Sequence, residues 1–151
     1  MAAGKFFMYN TGLLNVLKRN INLVSGTLIA YPLHSGYTPS TASHSTVAQI
    51  AAFQATASAT VVNAVSVTAT ITGSGNAVKF DLTDISGFSA AGDTFQAKYV
   101  AVVHRSGSAS QAGDLLVGFC DLDTAASTGL EGTQVNVTWN ASGVTKYNVN
   151  P

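Results

Sequence analysis

Two stretches decide the fold class: Val65-Ser66-Val67-Thr68-Ala69-Thr70-Ile71-Thr72 and Val135-Asn136-Val137-Thr138-Trp139. In each, apolar and polar residues alternate with a period of two, which puts the apolar set on one face of an extended strand and a mostly hydroxyl-bearing set on the other. These are half-buried antiparallel strands. Working outward, further β-rich runs are expected over residues 27–33, 53–59, 61–72, 77–82, 94–104, 115–121, 133–139 and 144–147. The punctuation between them, Gly73-Ser74-Gly75-Asn76, Gly92-Asp93, Ser106-Gly107-Ser108 and Gly113-Asp114, is rich in residues that tolerate φ > 0. Pro32 marks the first run as an edge or bulged strand. Short strands at this spacing predict a mostly β fold, a sandwich or a barrel, and of these we expect a single antiparallel β-sandwich, jelly-roll or immunoglobulin-like, spanning residues 1–151.

Residues 9–19 alone read as helical, with Leu13, Leu14 and Leu17 at i, i+1 and i+4, Asn10 or Thr11 available as a cap, and Lys18-Arg19 favouring the C-terminal end of the dipole. The leucines are expected to lie on the sheet. Gly12 weakens this helix by nearly 1 kcal/mol relative to alanine. An N-terminal arm and helix thus occupy about residues 1–20. Residues 34–45, rich in Gly, Pro, Ser and Thr, predict a long surface loop, and Ser45 or Thr46 can cap a short helical turn running through Ala52.

A chain of 151 residues is one domain's worth. Charged residues make up only 9 % of it, against about 25 % in ordinary soluble domains, while the hydrophobic share of 46 % is unexceptional. The charge is therefore missing from the surface, which suits subunit packing, because interface cores are depleted in Lys, Glu and Asp. Seven basic and seven acidic residues, with no basic cluster, exclude nucleic acid as a main partner. No apolar run is long enough to cross a membrane, and residues 1–7 lack the apolar region of a signal peptide, so cytoplasmic synthesis and assembly are expected. Cys120, alone inside Leu115-Leu116-Val117-Gly118-Phe119-Cys120, reads as a buried strand residue rather than a reactive thiol.

Catalytic constellations fail for lack of residues. His34 and His44 stand at opposite ends of a loop, which is no recognised metal-ligand spacing even with Asp121 or Asp123 added. Asp121-Leu122-Asp123 and the pair Asp81 and Asp84 suit strand ends and turns better than calcium or acid–base work. Gly73-Ser74-Gly75 lacks the rest of a dinucleotide fingerprint. No enzyme, metal or cofactor is expected. The aromatic residues read as core packing, with Trp139 left open as a carbohydrate platform.

Several segments taken together carry a resemblance: Ser35-Gly36-Tyr37-Thr38-Pro39 and His44, Val78-Lys79-Phe80-Asp81, Phe95-Gln96-Ala97-Lys98-Tyr99, Leu115 to Phe119 with Asp121, and Val137-Thr138-Trp139-Asn140-Ala141-Ser142-Gly143-Val144. Over nearly its full length the chain resembles a family of small tailed-phage virion proteins. The resemblance implies a β-sandwich building block of the particle, a capsid decoration or cement protein on the outer surface of the head that is assembled in the host cytoplasm. Its implied partners are the major capsid protein and further copies of itself, as a homotrimer. Phe6, Phe7 and Met8, together with Tyr37 and Pro39, are the expected protein-interface residues. A neck, tail or fibre-base component, or a host-surface glycan-binding module using Trp139 or the 34–45 loop, are the alternatives.

Overall fold

The computed structural model describes residues 5–74, 77–90, 92–125, 127–140 and 145–148. It opens with β1 (Phe6–Met8), the helix α1 (Asn10–Leu17) and β2 (Thr27–Leu33), then passes through 3₁₀ turns at Val47–Gln49 and Ala51–Phe53. The short strands β3 (Thr56–Ala57), β4 (Thr60–Val61) and β5 (Val65–Val67) lead into β6 (Ala69–Ser74), β7 (Ala77–Leu82) and β8 (Ile85–Ser89). The remainder is β9 (Phe95–Ala97), β10 (Tyr99–Arg105), β11 (Leu115–Asp121), β12 (Leu130–Gly132), β13 (Gln134–Val137) and β14 (Thr145–Asn148). The fold is mostly β with one helix, as the alternation predicts.

At its centre lies an antiparallel five-stranded sheet in the order β1-β11-β10-β2-β5. Its middle strands are nearly continuous apolar runs because both faces are covered. One face, with Leu28, Ala30, Val100, Val102, Val117 and Cys120, packs on Phe80, Leu82, Ile85, Phe88, Val135 and Trp139. The other, with Ile29, Tyr31, Leu33, Ala101, Val103, Leu116 and Phe119, is covered by Tyr9, Tyr37, Val47 and Ile50. The β10–β11 register slips between Val102 and Val103, a bulge that brings Leu116 and Phe119 to the same face.

Opposite this sheet, among the described residues, there is not one second sheet but three small ones, β14-β7-β6, β8-β13 and β9-β12, with β3-β4 a further pair. The sandwich expected from strand spacing is broken up by local geometry. Gly87 in the middle of β8 has φ 101°, and the β8–β13 register slips between Val135 and Val137. The expected 61–72 run divides into three short strands, and 94–104 divides at Lys98. Pro32 lies in an interior strand, paired with Val100 on one side, rather than on an edge. The tip of the expected hairpin at Gly75-Asn76, like residues 1–4 of the expected arm and 141–144 of the resemblance, lies outside the described residues.

The helix departs most from expectation. It runs Asn10–Leu17 with Tyr9 as N-cap and no side-chain cap, because Thr11 donates its hydroxyl to the carbonyl of His44 instead. Arg19, at φ 63°, ends it in the left-handed region usually taken by glycine. Leu13, Leu14 and Leu17 point away from the sheet, and Gly12 points toward it: a Cβ there would stand 2.6 Å from the carbonyl oxygens of Leu116 and Val117. Only a residue without a side chain permits that approach, so the glycine that lowers helix propensity is what seats the helix.

Candidate functional site

The residues singled out as an interface divide by burial. Phe6 is buried between Phe80, at 5.9 Å, and the edge of Trp139, at 6.3 Å, and Tyr37 is also buried. Those two side chains belong to the chain's own core. Phe7, 43 % exposed, alternates to the outside of β1, stacked 5.6 Å from Phe119 with the Lys5 ammonium over its ring, while Met8 and Pro39 are half-buried. The alternation along an edge strand makes this split inevitable.

The 34–45 loop is anchored rather than loose. The hydroxyls of Tyr9 and Tyr37 share a 2.6 Å hydrogen bond, and Tyr37 shares another, of 2.7 Å, with Nδ1 of His44. Asn10 donates its N–H to the carbonyl of Thr41, and Gln49 accepts from the backbone of both Ser45 and Thr46, capping the turn expected there. The start of α1, the loop and the sheet are thereby tied at one buried point. Burial raises Tyr9 and Tyr37 above the ordinary tyrosine value of 10.0. A raised folded value favours the neutral phenol, so this stability is present below pH 10.0 and lost as pH rises beyond it. Urea midpoints measured on either side of that pH should fall on the alkaline side, and Tyr9→Phe should flatten the fall; an unchanged slope would remove Tyr9 as its source.

The carboxylates singled out in the sequence are occupied structurally. Lys98, buried, pairs with Asp121 at 2.9 Å and donates to the carbonyl of Asp123, while Asp121 also accepts from the backbone of Asp123. That is turn chemistry, not a cation site. Asp81 pairs with Lys79, and Asp84 accepts the backbone N–H of Trp139. Asp114, buried, accepts from the backbones of Ser106 and Gln111 and holds the 105–114 connection together. Burial lowers His104 despite the opposing charge of Asp114, and pushes Cys120 up to about 12. Among the described residues no group of three metal-ligating side chains comes together. Trp139 is no open platform: its indole is buried and its Nε1 donates to the carbonyl of Thr83.

The surface features that sequence reading missed are apolar. Leu13, Leu14 and Leu17 are 40, 48 and 73 % exposed, and Val24 and Ile71 stand 61 and 46 % exposed. Val16, Val24 and Ile71 share a shallow groove of about 240 Å³ with Arg19. A second groove, of about 420 Å³, is lined by His34, Thr56, Thr94, Phe95, Gln96 and Glu131. Gly12, followed by Leu13 and Leu14, was the available signal that the helix turns its small side inward.

Comparison with family models, with curated proteins and with solved structures finds no match. The surface geometry therefore bears the functional reading, together with the sequence resemblance. What it offers is large apolar side chains that the core does not use, on a chain with few charges to desolvate.

Proposed function

We propose that this chain is a structural protein of a phage virion, a decoration protein that binds other subunits on the outer surface of the head. The observation that carries subunit binding is the outward-facing row Leu13, Leu14 and Leu17, held there by the contact of Gly12 with β11. The virion setting rests on the sequence resemblance. Many copies binding through modest surfaces stabilise a lattice by avidity. A reconstruction of the intact virion tests the reading. Density for this chain repeated over the whole head supports it, and density only at the portal vertex or tail, or none, overturns it. Phe7→Ser is expected to leave the fold intact, since the ring is half outside, while lowering head occupancy if the β1 edge faces the capsid. Unchanged occupancy would remove that edge from the attachment surface.

A further inference from the structure

The charge balance of zero conceals a segregation along the chain. Residues 1–78 contain Lys5, Lys18 and Arg19 and no carboxylate, whereas all seven Asp and Glu residues lie from Asp81 onward. Lys79, Lys98 and Arg105 are drawn to Asp81, Asp121 and Asp114 within the same half. Among the described residues Lys18 and Arg19 form no ion pair, and neither do Asp93 and Glu131. All four of these residues are exposed.

The two unpaired sets sit at opposite ends of one strand. The basic apolar groove, with Val16, Arg19, Ile21, Leu23, Val24 and Ile71, adjoins the segment entering β2 at Thr27. The larger groove begins at His34, immediately after β2 ends at Leu33, and carries Glu131, with Asp93 next to its lining residue Thr94. Seven residues of strand separate them by about 20 Å.

We infer that the chain associates head to tail with a second copy of itself, the leucine face of α1 and its basic groove seating on the Glu131 groove of the next copy. This rests on the reading of the chain as a subunit-binding structural protein and names the surfaces it uses on itself. Face-to-face pairing of two α1 surfaces would set Lys18 and Arg19 against their own copies, and like-charge juxtaposition opposes it. Docking one end on the other matches cations to Asp93 and Glu131 and covers Leu17 and Val24. Such a heterologous contact closes into a ring when the rotation allows, which a two-fold contact cannot do beyond a dimer.

Sedimentation velocity of the full chain is the test. The wild type should self-associate, and less at high salt. The double variants K18E/R19E and D93K/E131K should each weaken association about a hundredfold, since each sets like charges together. Combining all four substitutions restores opposite charges and should restore association. All four positions are exposed, and circular dichroism checks that each variant folds. A wild type that stays monomeric, or a combined variant no better than either double, overturns the inference. A monomer that still decorates heads would overturn only this contact, whereas an oligomer absent from the head would overturn only the proposed function.

Discussion

Phe6→Ala is expected to destabilise the protein by about 3–5 kcal/mol, the range for emptying a buried phenylalanine site. The ring is 2 % exposed and lies against Phe80 and Trp139 on the main core face. Gly118, on the neighbouring strand, leaves the space the ring fills, since a Cβ there would collide with it. Collapse into the vacated site is limited because the surrounding rings and strands are held by their own ladders. Urea unfolding measures the loss, with Phe7→Ala, two-fifths exposed, as the internal control expected to cost far less. Equal losses at the two positions would mean that β1 does not hold the alternation described. For the same reason, deleting residues 1–8 is no clean test of attachment, because it removes a core side chain along with the surface one.

Gly12→Ala should cost about 2 kcal/mol, although alanine is the better helix former by about 1 kcal/mol. The sign is set by the sheet rather than by the helix. The added methyl would stand 2.6 Å from two carbonyl oxygens, and that of Val117 already accepts the N–H of Tyr9 at 3.1 Å. Leu116 is held in register with Val103, and the Val117 oxygen cannot retreat without losing Tyr9, so α1 would lift, loosening the buried Tyr9–Tyr37–His44 connection with it. Leu17→Ala, on the opposite side of the helix, should stay within about 0.5 kcal/mol. Thermal and urea unfolding of the two variants decide the matter. A stabilised Gly12→Ala would show that propensity governs this helix.

Period-two alternation at Val65–Val67 and Gln134–Val137 was legible because those strands have one wet face; it continues into Ala69–Ser74, where Ile71 on the apolar side is nevertheless exposed, and the continuous runs of β2, β10 and β11 were legible as strands from length and turn punctuation. Their burial on both sides was not read, since periodicity is silent where both neighbours are apolar. Ile85–Ser89 and Leu130–Gly132 were missed because each is short and carries glycine, the residue of turns. The leucine row of α1 was recognised as a face, but periodicity tells which face is apolar and not which is covered. That choice was made by Gly12, through a close approach to a strand a hundred residues away in the sequence. Of the expected interface, Phe7 reaches the surface, while Phe6 and Tyr37 became core.

The pairing of β1 with β11 sets the order in which the molecule can be made. Phe6 lies opposite Cys120 and touches Trp139, so β1 has no place until residues more than a hundred positions further along the chain have been synthesised. Elongation from β1 to β11 takes roughly five seconds or more, whereas hairpins close in microseconds. For most of that interval Ile29, Tyr31 and Leu33 lack their β10 partner strand, so completion of the sheet lags well behind the synthesis of β2. The nascent chain is then at greatest risk of pairing with a neighbouring copy just before its own β10 and β11 arrive.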